Sequence, residues 1–208
     1  MKKIAVLVSG GGTNLQALID FEKENSDCPY SIAVVISDHK DAFALERAAK
    51  AGIPARITSP YAVMGAENAK KATREEKRIA VSDKVLEICN EFCVEGIVQA
   101  GWLTVLSGKI IEKYSNKIIN LHPALLPKFG GVGMWGHYVH EAVIAACEKE
   151  SGCTIHLVNG ECDGGKILIQ KKVPVMPGDT PDSLYARIAP EEHKAIVEGA
   201  CLLVEKYI

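Results

Sequence analysis

No apolar run in this 208-residue chain approaches bilayer-spanning length, so a membrane-spanning helix is not expected. Charge of one sign is not in excess either. Lys and Arg number 24 against 26 Asp and Glu, a formal net charge of −2, so no basic footprint points to nucleic acid. Seven cysteines are present but none in C-x-x-C spacing, which argues for reduced, mostly buried thiols over a disulfide framework or a metal cluster. A signal peptide is not expected at residues 1–12: the apolar Ile4–Val8 is too short and runs into Gly10-Gly11-Gly12, not a cleavage site. Repeats, low-complexity tracts and linkers are absent as well. A cytoplasmic location and a single domain over residues 1–208 are the expectation.

What the chain does contain is a strand–helix rhythm. Lys3–Val8, Ser31–Ile36, Ala55–Thr58, Gly96–Ala100 and Ile118–Leu121 read as strands. Asn14–Glu24, Ala42–Ala51, Thr73–Phe92, Ser107–Tyr114 and Tyr138–Glu150 read as helices. Thr154–Val158 and Lys166–Val173 then form a hairpin-like pair with a wide loop, and Pro181–Tyr207 a helical region interrupted near Pro190. This pattern predicts an α/β protein. Its sheet is Rossmann-like, twisted and mostly parallel, with helices on both faces and an antiparallel C-terminal strand pair.

The segment Ile118-Ile119-Asn120-Leu121-His122-Pro123 carries the strongest chemical signal. Residues two apart on a strand point the same way, so Asn120 and His122 converge at a strand's carboxyl end, where α/β proteins bind ligands. An amide donor beside an imidazole suits stabilisation and protonation of an oxyanion, as in acyl-type transfer. Ser9-Gly10-Gly11-Gly12-Thr13-Asn14 links the first strand to the first helix. Its glycines and free helix-start amides suit an anion, and Thr13 with Gln16 fits a capping box. Position 15 is Leu15 where a dinucleotide fingerprint needs glycine, and no lysine follows as a Walker A loop requires, so a terminal monophosphate fits best. Asp163-Gly164-Gly165 is by itself a turn signal, yet its aspartate suits a partner for His122, holding its tautomer, favouring its charged form or relaying a proton.

Other groups carry less. His137-x-x-His140-Glu141 lacks a third metal ligand and reads as a helix-surface pair. His156 reads as a satisfied strand histidine, and Cys162 has no assignable base that would make it a nucleophile. Trp102 and Trp135 either line a cleft for a flat ligand or cap the core.

Taken together, these motifs resemble the phosphoribosylglycinamide formyltransferases, folate-dependent enzymes of purine synthesis. The resemblance runs through Val6–Ala17, Ala100–Ser107, Ile119–Lys128, Thr154-Ile155-His156, Asp163-Gly164-Gly165 and Glu192-His193. It implies formyl transfer from 10-formyltetrahydrofolate to the amine of glycinamide ribonucleotide, with no metal, by a monomer or homodimer. Asn120, His122 and Asp163 would be catalytic; Gly11, Gly12, Thr13, Asn14 and Glu192 would hold the ribonucleotide. Leu103, Thr104, Val105, Leu106, Asn120, Val158, Gly160 and Asp163 would line the folate cleft. An arginine of the helix before Gly96 belongs there too: local wording favours Arg74, gapless spacing Arg78.

Three departures from the family pattern stand out. Leu103-Thr104 replaces a common Met-Arg, Ala124 a common serine, and Phe129–His137 is longer than the usual loop. Four other activities compete. Folate hydrolysis would go with an extra N-terminal domain, and methionyl-tRNA formylation with a C-terminal barrel. A nicotinamide dehydrogenase would use Asp38 as its ribose acid, and a phosphosugar-binding module would leave the catalytic trio without a purpose.

Overall fold

The computed structural model describes residues 1–208. Seven strands form one sheet: β1 (Lys2–Val8), β2 (Tyr30–Ser37), β3 (Ala55–Ile57), β4 (Gly96–Gln99), β5 (Ile118–His122), β6 (Glu150–Leu157) and β7 (Ile167–Pro174). Their order is β3-β2-β1-β4-β5-β6-β7. Strands β1 to β5 pair in parallel, whereas β6 runs antiparallel to both β5 and β7. The helices are α1 (Thr13–Glu24), α2 (Phe43–Ala51), α3 (Pro60–Met64), α4 (Ala66–Lys71), α5 (Arg74–Glu91), α6 (Lys109–Lys113), α7 (His137–Ala145) and α8 (Pro181–Tyr207).

Alternation along β1 divides the core. Ile4, Val6 and Val8 pack with Leu15 and Leu18 of α1 and Ile188, Ile196 and Leu203 of α8. Ala5 and Leu7 join Val81, Val85 and Ile88 of α5 on the opposite face. Both faces are therefore covered, as a parallel sheet requires. Because β1 lies between β2 and β4, the connections from it diverge, and a crevice opens at the carboxyl ends of β1 and β4.

Several boundaries differ from the sequence expectation. Helix α7 ends at Ala145, not Glu150, because Cys147 turns left-handed at φ 52° and the chain enters β6 at Glu150. Glu150-Ser151-Gly152 has little strand propensity of its own but pairs with Val173 and its neighbours in β7, so ladder bonds decide. Helix α6 is shorter than Ser107–Tyr114, since Gly108 at φ 71° cannot continue it backwards. Helix α8 runs through Pro190 without interruption. A Thr180–Ser183 capping box starts it, and packing on α1, α7, β5, β6 and β7 outweighs the missing N–H. Helices α3 and α4 are additions; with only Ala69 buried between them they leave no apolar stripe to read.

Candidate active site

A cleft of about 940 Å³ opens over the carboxyl ends of β1, β4 and β5. At its centre Asn120 and His122 leave β5 on one face, opposite His156 and Thr154 of β6. His122 is buried, and its Nε2–H donates to the Phe129 carbonyl at 2.8 Å. Its Nδ1 faces Asp163 Oδ2 at 3.5 Å. Asp163 sits on a left-handed turn, φ 54°, and accepts the Gly131 N–H at 2.8 Å. Gly165 explains the motif: a Cβ there would meet the Leu157 carbonyl oxygen at 1.6 Å. His156 is buried too; its Nδ1–H donates to the Leu157 carbonyl at 2.9 Å, leaving Nε2 to accept from Asn120 Nδ2 at 3.1 Å. Asp163 Oδ1 lies 3.4 Å from that same nitrogen.

Burial pulls the His122 imidazole below its ordinary value, and the Asp163 charge and the Phe129 carbonyl offset this only in part. Resting His122 is therefore biased towards the neutral ring. Asp163 works towards the charged ring and burial against it, while the Phe129 carbonyl holds the proton on Nε2. Burial also works to raise the Asp163 carboxyl, but the Gly131 N–H and, whenever they carry a proton on the facing nitrogen, the His156 and His122 rings hold it below the usual range.

Gly11, Gly12, Thr13 and Asn14 line one end of the cleft. Gly12 is the cap residue of α1 at φ 71°, where a side chain would also strike Ala44 at 2.6 Å. The expected Thr13–Gln16 capping box does not form. Thr13 is already the first helical residue, and Gln16 instead bonds Asp20 at 2.8 Å and Arg47 at 3.1 Å. No side chain caps α1, which leaves its first-turn amides for an anion. Glu192 reaches this end from α8 and accepts from Asn14 Nδ2 at 3.1 Å. Burial pushes its carboxyl up, against the lowering effect of Asn14.

Leu103, Thr104, Val105, Leu106 and Val158 also line the cleft. The Leu103 N–H donates to Ser9 Oγ at 2.8 Å and Thr104 Oγ1 to Asp38 Oδ2 at 2.6 Å. Asp38 is buried and also bonds His39 at 2.8 Å, so its carboxylate is committed to the protein and not to a ribose. Neither Arg78 nor Arg74, the first residue of α5, lines the cleft, but Arg78 Nε lies 3.5 Å from the Val105 carbonyl of this loop. Gly160 does not line the cleft, although its neighbours Asn159 and Glu161 do.

The His137–His140 pair is not a surface pair. His137 is exposed between Glu141 and Asp182, but His140 is buried against Tyr185. No group of three or more His, Cys, Asp or Glu residues stands where it could hold a metal ion. Burial and the Asp163 charge raise the Cys162 thiol, which makes it a poor nucleophile. Trp102 is buried in the core and Trp135 is half-exposed, packed edge-on to Tyr138; both also line the cleft.

The formyl transferase family model matches residues 2–199. The chain belongs to that family. Among curated relatives, a phosphoribosylglycinamide formyltransferase of Haemophilus influenzae is 38% identical over 93% of this chain and 83% of its own. The trifunctional purine biosynthetic protein adenosine-3 of Gallus gallus is 40% identical over 93% of this chain, which spans only 17% of that longer protein. A crystal structure of glycinamide ribonucleotide transformylase 1 from Symbiobacterium toebii superposes with a TM-score of 0.86 at 36% identity, covering 99% of this chain and 88% of that one.

In this formyl transferase, sequence reasoning missed the Phe129 carbonyl, Arg47 beside the glycine loop, and Gln99, His140 and Tyr185 on the cleft wall. The first two act through main-chain oxygens, which have no sequence signature. A glycine cluster at 130, 131, 133 and 136 was the available sign that the loop Phe129–His137 bends over the cleft.

Proposed function

We propose that this formyl transferase moves the formyl group of 10-formyltetrahydrofolate to the primary amine of N1-(5-phospho-D-ribosyl)glycinamide, a step of purine synthesis. One observation carries the reading. A single cleft is lined by an anion-ready helix start, by the buried Glu192 carboxylate, by the apolar Leu103, Val105, Leu106 and Val158, and by Asn120, His122 and Asp163. The phosphate would sit on Gly11, Gly12, Thr13 and Asn14, the ribose hydroxyls on Glu192, and the pterin between Leu103–Leu106 and Val158. Arg78, not Arg74, would meet the folate, because only Arg78 reaches the Val105 carbonyl.

Amine attack on the formyl carbon forms a C–N bond and a tetrahedral oxyanion. Asn120 Nδ2 gives one hydrogen to His156 and has the second free for that oxygen, a donation worth about 10²–10³ in rate. Neutral His122 takes the proton that the attacking nitrogen must lose. The resulting imidazolium is held by Asp163 opposite Nδ1 and by the Phe129 carbonyl on Nε2. It then returns the proton to the folate nitrogen as the old C–N bond breaks.

The test follows folate absorbance with 10-formyltetrahydrofolate, with and without glycinamide ribonucleotide. His122→Ala and Asp163→Asn should each lower turnover by about 10²-fold or more while ribonucleotide affinity changes little. Release independent of the acceptor would make the enzyme a hydrolase. Lost ribonucleotide affinity with turnover intact would sink the catalytic assignment.

A further inference from the structure

The glycine loop owes its orientation to α2. The Gly10 carbonyl accepts from the Ala44 N–H at 3.0 Å, and the Gly11 carbonyl from Arg47 Nε at 2.8 Å. In a trans peptide the C=O and the following N–H point in opposite directions. Pinning these two carbonyls against α2 therefore turns the Gly11 and Gly12 N–H groups the other way, towards the cleft that both residues line. Neither N–H donates to any group in the protein.

Arg47 itself is fixed. Nη1 donates to Gln16 Oε1 at 3.1 Å, and the guanidinium lies 5.1 Å above the Phe43 ring. Arg56 and Arg187 spend their charge on Glu91 and Asp179, but Arg47 forms no ion pair. An unneutralised cation thus stands behind the loop, with its Cδ in contact range of where a Gly12 side chain would lie, at 3.4 Å.

We propose that Arg47 is a positioning residue for the substrate phosphate: it aims the Gly11 and Gly12 amides into the cleft and places a fixed positive charge behind them. This rests on the reading of the glycine loop as the phosphate site. It makes phosphate recognition a joint property of α1 and α2, and it predicts discrimination between a phosphorylated and a free sugar.

Calorimetric titration with ribose 5-phosphate and with ribose tests it, on the wild type, Arg47→Lys and Arg47→Gln. Arg47→Gln should bind ribose 5-phosphate about 10- to 100-fold more weakly, the range of a lost charge-assisted contact. Arg47→Lys should recover part of that loss, all three proteins should melt alike, and added salt should weaken the wild type more than Arg47→Gln. Equal affinity in wild type and Arg47→Gln would overturn the proposal. So would equal weakening in both variants with a shared fall in melting temperature, which would mark a clamp without an electrostatic role. A wild type that ignores ribose 5-phosphate would overturn it together with the phosphate site, while the folate assay would still judge formyl transfer separately.

Discussion

His122 is held between two unlike acceptors, a neutral carbonyl at Nε2 and a carboxylate opposite Nδ1. The proposed proton-shuttle role needs the neutral ring at the start, so activity should fall as pH drops through a value below the ordinary 6.5, the direction in which burial moves this group. Asp163→Asn removes the charge that partly offsets burial. Its acid limb should therefore move to still lower pH, while the plateau turnover drops because the imidazolium loses its partner. A pH profile of kcat for both proteins checks this; a limb that moves upward in the variant would contradict it. Asn120 and His122 were legible because strand alternation alone places them together. Asp163 by itself reads as a turn and gains a partner role only beside Asn120 and His122; its added approach to His156 depends on the β6–β7 register, which no local pattern encodes.

At the scale of elements, α8 sets how tightly the sheet is covered. Gly199 lies against β5 and β6, where an added Cβ would stand 2.9 Å from Ile155 Cγ2 and 3.3 Å from Ile119 Cδ1. Alanine ordinarily stabilises a helix over glycine by about 1 kcal/mol. Here the contact is with buried, β-branched side chains that cannot move aside, so Gly199→Ala should instead destabilise by about 1–3 kcal/mol. Urea unfolding would detect it, and a gain in stability would show that α8 has slack. Strands β1, β4 and β5 were read to within a residue or two because continuous apolar runs mark strands buried on both faces. Pro190 misled because local propensity counts one lost hydrogen bond and cannot weigh the contacts along the rest of a 27-residue helix.

For the whole molecule, buried histidines set acid tolerance. Burial, reinforced whenever the neighbouring His137 or His122 takes up a proton, pushes His140 down to about 4 from 6.5. Above pH 6.5 the ring is neutral folded or unfolded and contributes nothing. Between 6.5 and about 4 the unfolded chain takes up a proton that the folded chain refuses, so stability is lost as pH falls, by roughly 3 kcal/mol at the lower end. His140→Phe should flatten that slope in denaturation series at pH 7, 5.5 and 4.5, and an unchanged slope would assign the acid sensitivity elsewhere. The Asn14–Glu192 bond also spans the whole chain, joining residues 178 apart. During synthesis the first βα turn emerges early but must wait for α8 before its pocket is complete. A fragment that stops before α8, however well its sheet has formed, thus lacks the carboxylate that closes this end of the cleft.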